Sequence, residues 1–458
     1  MALVVLSHQV IRDLLETLTR DDVERFTDAL KTALHEYSTG TQTTASNSYD
    51  EHEQMAVHSD RTKAETFFMP LTCPLGSGVK VVTISSSHAN PPVPMTKLTG
   101  SITLHSPEGN PIGLLHAQTL TAFRTALASS CLLIKRARVR TLTVFGAGLQ
   151  AYWHIRLALL LRGPTIRIVN IINRRFSKNA KDLLARLYSM PMEVKEREGW
   201  TGAQFSLLTP GYGEYVRLQK ENIRAADVIY CCTPSTEDLF DATILTNHEG
   251  RKKGRLIVAV GSYARDMREL PVELLVQVTR VHQPRHLHYR RHAIEGGVVV
   301  VDSIGGALTE AGEIIAAGLE SRQLVELGEL IMIRRLFEEE EELSRSSTEA
   351  DSSIYESPSY FNITPQRPTT PTASNGGVAS PKRFRLPSFR RPKSATDPSS
   401  SSSSSSAEDR HLQRWLSSGN VVYKSVGLGL MDLVVGLELV ELANARGVGV
   451  HVEDFSSK

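Results

Sequence analysis

The chain has 458 residues, 52 Lys+Arg against 50 Asp+Glu, a formal net charge of +2, 41% hydrophobic residues and four cysteines. At roughly 150 residues per domain the length allows about three globular units, and the near-neutral balance argues against a nucleic-acid protein, which carries a basic excess. No stretch of about 18 uncharged apolar residues occurs, so no membrane span is supported; Cys73, Cys131, Cys231 and Cys232 form no C-x-x-C pair and read as reduced thiols of a cytoplasmic protein.

The opening MALVVLSHQVIRDLLETLTRDDVERF has no basic leader or small-residue cleavage site. It passes into a charged amphipathic pattern, so it reads as a strand and helix rather than a signal peptide. GVKVVTIS, GSITLHS and GLLHAQT follow as strands of an antiparallel sheet, which makes 1–128 a first α+β domain. From 129 to 335 short β-rich runs alternate with helix-length segments: TLTVF (141–145), TIRIVNII (165–172), ADVIYCCT (226–233), RLIVAVGS (255–262) and GVVVVDS (297–303). Near-continuous apolar strands separated in this way indicate a doubly wound parallel sheet covered on both faces, the Rossmann type. Segment 190–222 is polar and assigns no element.

Composition changes at Glu338. Five glutamates lead into Ser, Thr and Pro, and the stretch closes on the run Ser399 to Ser406. Such a segment cannot bury enough apolar surface to offset its ordering entropy, so 336–410 is expected to be a disordered insert. Its basic patch, Lys382-Arg383-Phe384-Arg385 through Lys393, reads as a solvated linker or a docking contact. Ser357-Pro358, Thr364-Pro365, Thr370-Pro371 and Ser380-Pro381 are weak matches to proline-directed phosphorylation sites. Order is expected again at 411–458, with a β run, a glycine turn and helical periodicity from Met431 to Ala445. The estimate therefore falls from three globular units to two plus an insert.

TLTVF runs directly into Gly146-Ala147-Gly148-Leu149-Gln150-Ala151, followed by the helical stretch YWHIRLALLLR. This is G-x-G-x-x-A in the setting that makes it meaningful, after a strand and opening a helix. Gly146 allows the tight turn, Gly148 admits a pyrophosphate, and the helix N-terminus offers N–H groups to phosphates. The next strand ends in Asn173-Arg174-Arg175, without the acid that holds a ribose 2′-hydroxyl. Guanidinium groups suit a 2′-phosphate, so NADP(H) is favoured over NAD(H).

LHAQTLTAFRTALASSCLL, FGAGLQAYWH, INRR, ADVIYCCTPS, AVGSYARDMREL, VVVDSIGGALTEAGEI and VYKSVGLGLMDL occur in the order seen in the ornithine cyclodeaminase/mu-crystallin family, which this chain resembles outside its insert and residues 38–60 and 190–222. The resemblance implies a Rossmann domain, a second domain built from both chain ends (1–128 and 411–458) and a homodimer formed through it. It also implies that Arg124 grips a substrate carboxylate and Lys80 stands near the reacting carbon as acid/base, with Arg61 as a further carboxylate-binding residue. Thr125, Thr233, Lys424, Ser425 and Gly427 would join Gly146, Ala147, Gly148, Leu149, Gln150, Asn173, Arg174 and Arg175 around the cofactor. Read alone, Lys80 is a strand-surface lysine and Arg124 a helix salt-bridge partner.

Two departures redirect the chemistry. Cyclodeaminases carry an aspartate where this chain has Tyr263, and a glutamate where it has Phe67. Without those carboxylates the chain resembles the mu-crystallin, ketimine-reductase branch. Its expected activity is hydride transfer at the C=N carbon of a small cyclic imino acid. The alternatives are ammonia-eliminating cyclisation with replaced acid/base groups and a non-enzymatic NADPH-dependent binding protein. His282, His286, His288 and His292 lie among arginines without a carboxylate or cysteine, so no metal site is expected. His116 and Gln118 read as structural or site-facing, Cys231 and Cys232 as core, and Asp302 as a structural carboxylate at a strand end.

Overall fold

The computed structural model describes residues 2–40, 55–59, 61, 64–85, 99–280, 292–331, 402–453 and 455. Contacts group the chain into two units, Met1–Met332 with Ser405–Lys458, and Ile333–Ser404. Both sheets described below belong to the first unit.

The strands among the described residues are β1 (Leu3–Leu6), β2 (Met55–Ser59), β3 (Ala64–Cys73), β4 (Gly76–Ser85), β5 (Thr99–His105), β6 (Pro111–His116), β7 (Thr141–Phe145), β8 (Ile168–Ile172), β9 (Gln204–Leu208), β10 (Val228–Cys231), β11 (Leu256–Ala259), β12 (Val299–Val301), β13 (Leu324–Glu326), β14 (Val421–Lys424) and β15 (Val450–Val452). The helices that shape the site are α1 (His8–Glu16), α2 (Arg20–Gly40), α3 (Ala117–Leu133), α4 (Leu149–Arg162), α5 (Lys178–Tyr188), α6 (Met192–Glu198), α7 (Tyr215–Ala225), α8 (Thr243–Thr246) and α9 (Val272–Val278). They continue with α10 (Ile304–Glu310), α11 (Gly312–Ala316), α12 (Leu327–Ile331), α13 (Ser402–Ser418) and α14 (Gly429–Arg446).

The first sheet has the order β15-β1-β6-β5-β4-β3-β2. Its central strands are antiparallel, as the hairpin-like spacing predicts, but β1 runs parallel to β6. One face alternates inward through Leu71, Val82, Ile102, Leu104 and Leu115, all buried. Helix α14 lies across this face, and a Cβ at Gly436 would stand 3.1 Å from the Leu104 side chain, so helix and sheet approach closely. Each such buried aliphatic chain contributes about 1.5–3 kcal/mol.

The second sheet has the order β13-β12-β14-β11-β10-β7-β8-β9, and every pairing in it is parallel. The run β9-β8-β7-β10-β11 is the doubly wound arrangement, with connections leaving β7 in opposite directions. Strands β7, β10, β11, β12 and β14 are buried along their length, which requires cover on both faces. The fold is therefore α/β, a Rossmann-type sheet with a second α+β layer, as the sequence led us to expect.

Several boundaries are corrected. Residues 411–458 do not return to the first sheet as a block: β14 inserts between β11 and β12, whereas α14 and β15 join the first sheet. Its all-apolar VVY core suits the interior of a parallel sheet better than an edge. Helix α3 runs through the expected boundary at 128 and is buried on nearly every side, so it belongs to both layers. The strand expected to reach Thr119 stops at His116, where α3 begins. The segment 190–222 holds α6, β9 and α7. Helix α13 starts inside the serine run assigned to the insert; the rest of that insert, with its basic patch and Ser/Thr-Pro pairs, lies outside the described residues.

Candidate functional site

The parallel sheet changes direction between β7 and β10, whose ends pair Phe145 with Cys231. The glycine loop leaves β7 at this point. Gly146 has φ +101, and a Cβ there would stand 2.8 Å from the Cys232 carbonyl oxygen, so only glycine fits without displacement. Gly148 is the N-cap of α4, and a Cβ there would meet nothing within 4 Å: the mouth of the loop is open. The first N–H groups of α4, beginning at Leu149, lack intrahelical partners. In its second turn His154 is fully buried, bonded through Nδ1 to the Gln150 carbonyl at 2.8 Å and through Nε2 to Ser129 Oγ at 2.9 Å. Burial pushes its pKa down to about 4, so it is neutral and ties α4 to α3.

The loops after β10 and β11 are braced from below. Glu269, fully buried, accepts the Thr233 N–H at 2.8 Å, the Gly261 N–H at 2.7 Å and the Thr233 hydroxyl at 3.2 Å. Burial raises its pKa, against the pull of Lys424 and these N–H donors. Asp302, at the end of β12, holds the turn after β14: it accepts Ser425 Oγ at 2.6 Å, the Gly427 N–H at 2.8 Å and the Tyr423 hydroxyl. Its structural reading agrees with this geometry.

That turn joins the crevice to the second half of the site. Gly427 has φ +97, and a Cβ on it would lie 2.9 Å from Arg124 Nη2. Five residues on, in the first turn of α14, Asp432 points inward. Its Oδ2 accepts Lys80 Nζ at 2.8 Å and pairs with Arg124 Nη2 at 3.2 Å. Lys80, Arg124 and Asp432 are 4%, 5% and 1% exposed. Lys80 stands in register with Met69 on β3 and Ile102 on β5, on the inward face of the sheet. Burial lowers its pKa, Asp432 opposes that shift and Arg124 adds to it. For Asp432, burial acts upward, but the neighbouring guanidinium and ammonium outweigh it and hold the carboxyl below its usual range. In Arg124 the buried Nε has no hydrogen-bond partner, and Nη1 meets only the Met431 thioether at 3.5 Å.

Lys80 is thus not a strand-surface lysine, while Arg124 is an ion-pair partner. Arg61 is exposed in the turn between β2 and β3, outside the buried group. The Thr125 hydroxyl donates to the Thr121 carbonyl at 2.8 Å. Lys424 is corrected as a cofactor-facing side chain: it is 0% exposed, donates to Ser262 Oγ at 2.7 Å and to the Ser262 carbonyl, and pairs with Glu313 at 3.4 Å. Alternation along β14 turns it below the loop, into the packed layer. Asn173 bonds the Arg175 carbonyl at 2.6 Å, leaving both arginine side chains exposed at the end of β8.

Tyr263 is 49% exposed, its phenol pKa raised by partial burial and by Asp266. Phe67 is half-buried and shares the inward sheet face with Lys80. His116 packs edge-on against His8 at 5.1 Å, a structural contact, and Gln118 is half-buried. All four cysteines are free, with Cys231 and Cys232 in the core. His292 meets His248 at 3.0 Å, whereas His282, His286 and His288 lie outside the described residues. Among the described residues no three potential ligands gather around a metal position, and no helix is long and apolar enough to cross a membrane.

The residues that sequence reasoning missed are Asp432, Glu269 and His154. A faint signal marked the first: Asp432 is the lone acid in the apolar stretch GLGLMDLVVGL.

A doubly wound parallel sheet with a glycine loop at its switch point, joined by one turn to a buried Lys/Arg/Asp group under a second sheet, defines a Rossmann-type protein with an added α+β layer. The chain matches the family model of the ornithine cyclodeaminase/mu-crystallin family over residues 8–199. It is 28% identical over 299 residues to an uncharacterized protein of Saccharomyces cerevisiae, covering 59% of this chain and 72% of the other. To a Delta(1)-pyrroline-2-carboxylate reductase of Bacillus cereus it is 26% identical over 268 residues, 56% of this chain and 66% of the other. Among solved structures, Thermococcus litoralis Delta(1)-pyrroline-2-carboxylate reductase in complex with NADH and L-proline superposes with a TM-score of 0.57 at 19% identity, covering 98% of this chain and 100% of that one.

Proposed function

We propose that this protein is an NAD(P)-dependent oxidoreductase, using NADPH by preference, that transfers hydride at the C=N carbon of a small cyclic imino acid. The observation that carries this reading is the buried Lys80–Asp432–Arg124 group, set one turn beyond β14 of the same sheet whose β7 carries the open glycine loop. The names of the Bacillus and Thermococcus relatives, both reductases of a cyclic imino acid, agree with it. So does the absence of the cyclodeaminase carboxylates at Phe67 and Tyr263.

The residues fit a dinucleotide. The Gly148 position leaves room for a pyrophosphate beside the N-terminus of α4. Exposed Arg174 and Arg175 at the end of β8 suit a 2′-phosphate, and no carboxylate stands there to repel it. A bound reduced nicotinamide supplies the hydride.

The chain's own part is orientation and a proton. Arg124, whose Nη1 meets only a thioether, takes the substrate carboxylate, which fixes the imine carbon toward the crevice. Lys80 gives one proton to the imine nitrogen as the carbon receives hydride, so imine plus hydride plus proton balances to the amino acid. The reverse direction returns the proton to Lys80. Exposed Met55 and Val57 on edge strand β2 are consistent with the proposed homodimer.

The test is a titration with NADPH and NADH followed by turnover assays on five- and six-membered cyclic 2-imino acids. Tighter NADPH binding and oxidation of the cofactor by one of them are expected, with Arg124→Ala raising KM by roughly a hundredfold. Binding of NADPH with no turnover on any of them would overturn the enzymatic reading, and ammonia released from ornithine would favour cyclodeamination.

A further inference from the structure

We propose that Asp432 is a positioning residue of this site: its one buried oxygen, shared by Lys80 at 2.8 Å and Arg124 at 3.2 Å, keeps the ammonium charged and holds both cations toward one substrate. The inference rests on the reading of Lys80 as proton donor and adds the group on which that role depends.

Two cations sit here in an interior almost closed to water. Burial disfavours the charged form of each, and each repels the other. The guanidinium stays protonated under any such pressure, so the lysine is the group that yields its proton. An ammonium that has lost its proton cannot protonate an imine. One carboxylate between the two cations reverses the balance. It enters from α14, 352 residues away from Lys80 in sequence, and is itself kept ionised by the same two cations.

The surroundings leave this task to Asp432 alone among the described residues. On α3 the charged neighbour is Arg124, and Thr121 offers a hydroxyl to Oδ1 at 3.4 Å. On β3 and β5 the residues in register with Lys80 are Met69 and Ile102, and Glu65 lies on the same face of β3 two alternations away. Glu438, farther along α14, is occupied with Arg25 of α2 at 3.6 Å. The placement is also favourable for the helix, since an acid in the first turn meets the positive end of the dipole.

The geometry further implies that Asp432 leaves part of Arg124 for the substrate. It holds Nη2, while Nε is unpartnered and Nη1 touches only a thioether. Gly427 approaches the guanidinium so closely that a Cβ on it would stand 2.9 Å from Nη2 and 3.1 Å from Nη1. A substrate carboxylate therefore adds to the ion pair instead of replacing it.

The experiment compares the full chain with Asp432→Asn and Asp432→Glu by two readouts. The first is the titration of the Lys80 side chain, followed by NMR of carbon-13-labelled lysine and assigned with Lys80→Arg; it requires no turnover. The second is the pH profile of kcat/KM for NADPH-driven imine reduction. In Asp432→Asn the Lys80 midpoint is expected to fall by at least about one pH unit, and the alkaline limb of the profile to move with it. That amounts to roughly a tenfold or larger loss on the alkaline side and a smaller one on the acid side. Asp432→Glu restores most of both. An unchanged Lys80 midpoint in a folded Asn variant would overturn the proposal, as would a loss of kcat that is uniform across pH. If the Asn variant does not fold, Asp432→Ser is measured in its place, with the same fall of the Lys80 midpoint expected and an unchanged midpoint overturning the proposal. A wild-type protein that reduces no imine sinks the functional reading, yet leaves the Lys80 titration as the test of Asp432.

Discussion

Single residues carry two consequences that solution experiments can reach. Arg174 and Arg175 stand exposed past β8, so a ribose phosphate would meet them without rearrangement of the core. Replacing both with alanine is expected to weaken NADPH by about 10–100-fold while changing NADH by less than about threefold, as read by fluorescence titration. Equal weakening of the two would show that the pair does not read the phosphate. Glu295 bears on stability. It accepts Asn420 Nδ2 at 2.9 Å and Gln277 Nε2 at 3.3 Å, and burial, only partly offset by those bonds, raises its pKa to about 7. The folded state therefore binds this proton more tightly than the unfolded one. The stabilisation is complete below the ordinary value of 4.5 and is lost as pH rises through about 7, amounting to at most about 3 kcal/mol. Glu295→Gln should accordingly melt higher than wild type on the alkaline side and no higher at acid pH. His154 works in the opposite sense: buried neutral with a pKa near 4, its contribution is present above 6.5 and lost as pH falls through about 4.

At the scale of elements, the glycine loop and its helix were legible because their signal is local. A strand, two spaced glycines and an apolar helix stand within a score of residues, and backbone sterics alone restrict what they do. The helix α4 behind them depends on a contact the sequence does not announce. Arg156, fully buried, forms a two-pronged pair with Glu198 of α6 at 2.6 and 2.7 Å, and Trp200 donates to the same carboxylate at 2.8 Å. Removing one partner leaves an uncompensated charge in the core. Glu198→Ala is expected to cost about 3–5 kcal/mol in urea unfolding. A loss below about 1 kcal/mol would mean that water reaches Arg156. Strand β14 makes the complementary point. Its hydrophobicity marked it as a strand, but which sheet it joins depends on an open slot between β11 and β12, more than a hundred residues away.

For the whole molecule, contacts separate Met1–Met332 with Ser405–Lys458 from Ile333–Ser404. The insert is expected to act on the stability of the first unit through the closure entropy of the chain it adds. Exchanging 336–400 for a flexible linker of about 20 residues is expected to stabilise that unit slightly, by roughly 1 kcal/mol, in thermal or chemical unfolding. It should leave NADPH affinity unchanged within about twofold. A destabilisation of several kcal/mol would mean that the insert packs against the two sheets.

By itself the amino-acid sequence determined the class of fold, the glycine loop and the missing acid after β8, and its resemblance to a family marked Lys80 and Arg124 as residues worth following. These rest on local periodicity, turn chemistry or ordered motifs, all readable along a line. Only the tertiary structure decided that Asp432 shares its carboxylate between Lys80 and Arg124, that Lys424 turns into the packed layer, and that β14 completes the parallel sheet. The physical reason is the range of the interactions. A buried charge is tolerated only where its partner arrives in space, and here the partner comes from the other end of the chain, by a route that no local pattern records.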